Sequence, residues 1–318
     1  MTAPGALLLA LMVAAPPFLS DYQVYLISLT LLWGIFALSM GLVLGYIGQV
    51  NFGQAAFIAV GAYASSLLRL KLGLSFWLAG PIALALVVGL AAVVGLVTLR
   101  LRGPFFALVT LAFGEIVRLV IANWQDMTNG PLGLRPIPPP EPLLGLRFDT
   151  KLSFYYLVLA TLAVCLAGLA RLVRARAGRM MVAIREDEVL AEFVGVAVLR
   201  HKIIALCASA LVAGLGGLLI GPFLTVLSPG QFDLFASVDI MVMTVVGGVG
   251  TLAGPLVGAV FLVFMPELLR FAQEFRPLLM GGLLIIVTLF LPGGIVGVLR
   301  LVPAWLASGW RSVSVRRG

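Results

Sequence analysis

Ionisable side chains are scarce in this sequence, and their positions limit the chemistry open to it. The one histidine, His201, lies in a basic stretch. The two cysteines, Cys165 and Cys207, sit in apolar surroundings, where they read as small buried hydrophobes. The three lysines, Lys71, Lys151 and Lys202, fall outside any GxxxxGKS/T pattern, and neither HExxH nor CxxC occurs. Serine-triad, zinc and P-loop chemistry therefore lack their residues. The sequence reads as a conduit with no catalytic residues, metal or bound cofactor of its own, driven by energy supplied elsewhere.

The charges that stand out are inside apolar runs. Glu115 and Arg118 lie three residues apart in "LAFGEIVRLV" and so share a helical face. An intramembrane charge is costly enough to require a partner. Two readings stand: a structural ion pair near the outer helix end, with Arg118 reaching outward, or a charged pair at the outer mouth of a pathway. Asp239, at the start of a later apolar run, has the same two readings.

Uncharged polar groups are concentrated in "GYIGQVNFGQAAFIAVGAY", residues 45–63, between two apolar runs. Gly45, Gly48 and Gly53 soften the backbone, and Gln49, Asn51 and Gln54 supply amides. Hydrocarbon does not tolerate unsatisfied polar groups, so this stretch is expected to face protein or a water-filled path. Its amides either satisfy freed backbone groups or offer neutral hydrogen bonds to a passing solute. A second cluster, "GGVGTLAGP", holds Gly247, Gly248, Gly250 and Gly254. Helix packing through small residues explains many glycines in such a chain. These two clusters go further, because each interrupts an apolar run. Their similar spacing hints at an internal duplication, a common transporter design.

The elements that must position these residues are membrane spans. The chain is 62% hydrophobic and 11% charged, with a mean hydropathy of +1.15. A soluble domain carries far more surface charge. The expected fold is an all-α polytopic integral membrane protein in one transmembrane domain over 1–318, with about nine or ten transmembrane helices. Apolar runs fall at 5–19, 22–44, 52–68, 76–99, 104–122, 152–170, 203–227, 238–265 and 278–292. The first run reads as a short span, not a signal peptide, because no Lys or Arg precedes Arg69. The net charge of +8 is no nucleic-acid signature, since the basic residues cluster in loops that flank spans.

The proline-rich loop 123–151 is expected outside, and 171–202, with Arg171, Arg174, Arg176, Arg179, Arg185, Arg200 and Lys202, in the cytoplasm. The tail 301–318, with Arg311, Arg316 and Arg317, is also expected in the cytoplasm. These assignments agree only if one run turns back on itself. The candidate is 238–265, broken at Gly247 to Pro255 into two re-entrant half-helices. Arg100 and Arg102 agree with this orientation; Arg69 and Lys71, placed outside, weigh against it.

The loop "GRMMVAIREDEVLAEFVGVAVLRHK" is expected to form an amphipathic helix, with Met181, Ile184, Glu188, Ala191 and Gly195 at three-to-four spacing. A short helix of this kind is suited to docking in a partner's groove, although an ordinary solvated loop would share its charge.

Taken together, "GYIGQVNFGQAAFIAVGAY", "LRGPFFALVTLAFGEIVRL", "AIREDEVLAEFVGV", "SPGQFDLFASVDIMVMTVVGGVGTLAGPLVGAV" and "PELLR" resemble permease subunits of bacterial ABC importers for branched-chain amino acids, of the M (LivM-like) type. The resemblance covers nearly the whole chain. It implies an inner-membrane permease that moves leucine, isoleucine or valine by alternating access. Its implied partners are an H-type permease subunit, two cytoplasmic ATPases that hold ATP and magnesium, and a periplasmic amino-acid-binding protein. It also implies that Arg185, Glu186, Glu188, Glu192 and Gly195 belong to the segment that couples to the ATPase. The glycine and amide clusters would then flank the translocation pathway. One departure stands out: the family often has a histidine where Gln54 stands, which removes a pH-dependent role there. Permeases for urea, amides or other amino acids share much of the pattern. A stand-alone secondary transporter or channel is the competing class, but it would need a coupling-ion site, and acidic residues within the runs are few. An intramembrane enzyme or scaffold is a third, without a convergent catalytic set.

Overall fold

The computed structural model describes residues 12–14, 16–100, 104–143, 145–268, 278, 281–282, 285 and 293–297. The expected spans 5–19 and 278–292 fall largely outside these residues, and the tail 301–318 lies wholly outside them. Ten α-helices of six or more residues organise the described residues. They are α1 (Asp21–Leu42), which continues as a π-turn (Val43–Ile47), α2 (Gln54–Leu72), α3 (Phe76–Thr98), α4 (Pro104–Asn123) and α5 (Lys151–Arg174). They continue as α6 (Arg176–Glu186), α7 (Glu188–Phe193), α8 (Val198–Leu224), α9 (Leu234–Gly247) and α10 (Gly254–Leu268).

Six of them are long and apolar enough to cross a bilayer: α1 with its π-turn, α2, α3, α4, α5 and α8. Local chemistry sets their limits. Ser20 and Gln23 form a capping box at the start of α1, and Thr150 caps α5. Gly73, in the left-handed region, ends α2.

The apolar run 238–265 is not one span. It divides into α9 and α10, which return against each other. The contact is close because both helices are small where they meet. A β-carbon on Gly258 would overlap the carbonyl oxygen of Met243, and one on Gly247 would overlap that of Gly254.

Burial divides the bundle. α1 and α8 are its centre, and α8 packs on α1, α2 and α3. The outer faces of α3 and α4 stay apolar and exposed, through Leu86, Val93, Leu108, Ile116 and Leu119, as suits helices bordered by hydrocarbon.

The bundle has two distinct ends. At the proline end, Arg69 donates to the carbonyls of Pro138 and Pro139 and pairs with Glu141 at 3.1 Å. Lys71 donates to the carbonyl of Asp126. The two cations that weighed against the expected orientation are thus committed to the proline loop. Glu141 also accepts from the Phe76 amide at 2.5 Å. Burial pushes the Glu141 carboxyl up, but the Phe76 amide, its own backbone and the Arg69 guanidinium outweigh it and hold it below the usual carboxylate value. The opposite, arginine end gathers the turn after α1, helices α6 and α7, and the loop 248–253 between α9 and α10.

Candidate translocation and coupling site

The soft stretch after α1 leaves the helix through the π-turn and re-enters a helix only at Gln54. The amides of Asn51 and Gln54 are spent on protein partners. Asn51 and Gln54 are both fully buried. The Asn51 amide nitrogen donates to Gln54 Oε1 at 2.8 Å, and its oxygen accepts from the Gly53 amide at 3.0 Å. Gln54 Nε2 donates to Ser39 Oγ at 2.7 Å and to Ser209 Oγ at 3.1 Å, while Ser209 Oγ donates to the Ser39 carbonyl at 2.7 Å. The Ala55 amide donates to Ser237 Oγ at 3.0 Å. One network therefore ties α1, the start of α2, α8 and the start of α9. Gln49 is also buried, but its side-chain oxygen has no hydrogen-bond partner among the described residues.

Gly53 is required by close approach. A β-carbon there would lie 2.6 Å from the Thr110 carbonyl oxygen and 3.0 Å from the Phe113 ring. The turn that starts α2 is thus pressed against the middle of α4. Thr110 reinforces the contact by accepting from the Phe52 amide at 3.2 Å.

The two glycine clusters meet at the arginine end. A β-carbon on Gly45 would stand 2.9 Å from the Gly250 nitrogen. Arg185, at the end of α6, reaches into this junction and donates from Nη1 to the Gly45 carbonyl oxygen at 2.5 Å. The same guanidinium nitrogen borders Gly250, and the side-chain stem borders Gly48.

The expected continuous helix in the 171–202 loop is corrected to two. Asp187 is extended and caps α7, accepting from the Val189 and Leu190 amides at 2.9 Å each. Gly195 ends α7 in a Schellman arrangement: its own amide donates to the Glu192 carbonyl and the Val196 amide to that of Ala191. The left-handed φ of +85° at Gly195 makes that possible. The residues at three-to-four spacing do not form one outward face. Met181, Ile184 and Ala191 are buried against the body of the protein. Val189, Leu190, Phe193 and Val194 point outward instead, Phe193 with 84% of its surface exposed. The signal for them is the apolar run "EVLAEFV" in a charged loop, whose outward residues fall off the three-to-four spacing of one continuous helix. Glu188 accepts from the buried Lys202 ammonium at 2.7 Å, which clasps α7 onto α8. Glu186 and Glu192 are exposed.

Glu115 and Arg118 form the ion pair expected of them, with Nε to Oε2 at 2.9 Å. They do not sit at a helix end. Glu115 is the twelfth of the twenty residues of α4, near its middle. It lines a cavity of about 160 Å³ with Asp233, which caps α9 by accepting from the Ala236 amide at 2.9 Å. Asp233 was not singled out in the sequence; a carboxylate just before an apolar run is the signal that marks it. Asp239 is half-buried on α9. No three His, Cys, Asp or Glu side chains among the described residues come together as a metal site.

Comparison with known proteins adds to this geometry. Residues 22–288 match the family described as "Branched-chain amino acid transport system / permease component". Over 92% of its length the chain is 34% identical to the high-affinity branched-chain amino acid transport system permease protein LivM of Escherichia coli K12, covering 74% of that protein. It has the same identity and coverage with LivM of Salmonella typhimurium LT2. It is 24% identical to the corresponding permease protein LivH of Escherichia coli K12, over 83% of this chain and 91% of that one. No solved structure matches the chain.

Proposed function

The chain belongs to the family of branched-chain amino acid transport permeases, and from that premise we propose that it is one permease half of an ABC importer. In this reading it moves leucine, isoleucine or valine into a bacterial cell by alternating access. An H-type permease chain forms the other half. Two cytoplasmic ATPases hold ATP and magnesium, and a periplasmic protein delivers the amino acid. This chain binds no cofactor and carries out no catalysis. The arginine end and the tail 301–318 face the cytoplasm, and the proline loop faces the periplasm, as the concentration of arginines in 171–202 supports.

The observation that carries this reading is the outward apolar face of α7. Leu190, Phe193 and Val194 project from a charged, membrane-flanking segment. A cluster of exposed apolar side chains at that place needs a cover, and a groove on an ATPase supplies one. The buried face of the α6–α7 unit carries the movement inward, through Arg185 to both glycine breaks and through the Glu188–Lys202 clasp to α8. ATP binding on the partner then favours one of two arrangements of the bundle.

Uptake of labelled leucine at micromolar concentration, in cells with and without the gene, tests the proposal. Isoleucine, valine, phenylalanine, glutamate and urea serve as competitors. Loss of uptake on deletion, with competition by isoleucine and valine only, is the expected result. Unchanged leucine uptake removes the substrate assignment, and uptake that persists without any ATPase removes the importer mechanism.

A further inference from the structure

The middle of α4 holds an unusual combination for a membrane-spanning helix. Glu115 and Arg118 lie well inside the run Pro104–Asn123, and the third ionisable group, Asp233, is brought to them by a different part of the chain. Formal charges here are two carboxylates against one guanidinium. Ionisable groups at such depth are expensive, and a simple structural pair would be neutral.

Arg118 closes on Glu115, but Glu115 and Asp233 do not close on one another. A cavity of about 160 Å³ lies between them, bounded by the turn before α2, the middle of α4 and the start of α9. Its polar rim carries Glu115 and Asp233. Its remaining wall is largely apolar, from Phe52, Leu111, Phe232 and Leu234. The cavity is therefore amphiphilic, lined by two carboxylates and Ser237 together with hydrocarbon-like side chains.

Its walls are also held in place. The start of α2 is bonded to Thr110 on α4 and to Ser237 on α9, so all three elements around the cavity are tied to each other. Discontinuous helices that begin inside a membrane protein are tolerated where they line a cavity, and they recur at transport sites. Here α2 and α9 both begin at this cavity.

We infer that this cavity is a station for a small aliphatic solute bearing an ammonium group, with Glu115 and Asp233 facing the ammonium and Phe52, Leu111, Phe232 and Leu234 facing the apolar chain. The inference rests on the transport reading for the identity of the solute. The charge preference of the cavity stands apart from it. Arg118 keeps Glu115 from binding the ammonium too tightly, which suits a site that must release its occupant.

The test uses the assembled importer in lipid nanodiscs, with Cys165 and Cys207 replaced by alanine and a single cysteine at the cavity, Leu234→Cys. Its rate of modification by a cationic methanethiosulfonate is compared with that by an anionic one of similar size. The cationic reagent should react about tenfold faster, as a charged cleft with low-dielectric walls concentrates counter-ions. The ratio should fall towards one when Glu115→Gln and Asp233→Asn are combined, since asparagine preserves the cap of α9. Leucine should slow the modification, and 4-methylpentanoate, which lacks the amine, should not. Equal rates for the two reagents, or a ratio indifferent to the neutralising substitutions, would overturn the inference; so would equal protection by 4-methylpentanoate. Leu111→Cys repeats the measurement if Leu234→Cys prevents assembly. Failure of the wild-type importer to take up leucine would instead defeat the transport reading and leave the charge preference measurable.

Discussion

Arg185 and Gly45, 140 positions apart, are joined by a hydrogen bond of 2.5 Å from the guanidinium to the main-chain carbonyl. The bond joins the last turn of α6 to the π-turn that ends α1, and it borders Gly250 in the other break. A charge-assisted bond of this kind contributes about 1.5–3 kcal/mol. Arg185→Ala should therefore lower the amount of leucine moved per ATP hydrolysed by about tenfold or more, with ATPase subunits still bound. Arg185→Lys should recover part of it, because a lysine keeps the charge but not the planar fork. The ratio of uptake to phosphate release in proteoliposomes is the measurement. An unchanged ratio in the alanine variant would remove Arg185 from the link.

Lys202 is 1% exposed and its ammonium has Glu188 at 2.7 Å. Replacing one member leaves a charge without its partner, which costs more than losing both. Glu188→Ala should destabilise the protein by about 2–3 kcal/mol, below the range for fully buried pairs because Glu188 is 27% exposed. The double substitution Glu188→Leu with Lys202→Met should cost less than Glu188→Ala alone. Thermal unfolding in detergent compares the three.

Phe193 is exposed on α7 and belongs to no packed core. Phe193→Ser should leave the melting temperature within the small range typical of surface substitutions, about 0.5 kcal/mol. It should weaken capture of the ATPase subunits by about tenfold, as expected when an exposed aromatic anchor is lost from an interface. Co-purification at graded ATPase concentration reads both the loss and its size.

Glu141 links Arg69, the Phe76 amide and the proline loop. Its carboxyl is held below the usual value, so the folded state favours the ionised form. The stability it adds is fully present above the unfolded pKa of about 4.3 and is lost as pH falls through the lower folded value. The melting temperature of Glu141→Gln should lie below wild type by a constant amount above about pH 5. The difference should shrink progressively as pH falls below about 4.3. A difference that stays constant down to the acid limit would show that the contact is not electrostatic.

The break in 238–265 was legible because "GGVGTLAGP", with four glycines and a proline in nine residues, does not continue a helix. The six long spans were legible from hydropathy alone. The amide cluster was legible as a place that must not face hydrocarbon. Its partners Ser39, Ser209 and Ser237 were not, because a serine in an apolar helix has no periodicity that distinguishes it from a serine bonded to its own helix.

The segment 176–195 shows the same division. Its charge and short length were readable, but its face was not. Asp187 interrupts the helix by offering its carboxylate to two amides, and that turns Phe193 outward while Ala191 packs inward. The sequence by itself determined that this chain is a membrane-embedded conduit, because composition and the spacing of glycine and charge are local properties. The tertiary structure decided which of those residues meet. Gly45 touches Gly250, and Glu115 shares a cavity with Asp233, because helix packing closes distances of more than one hundred residues that no local pattern records.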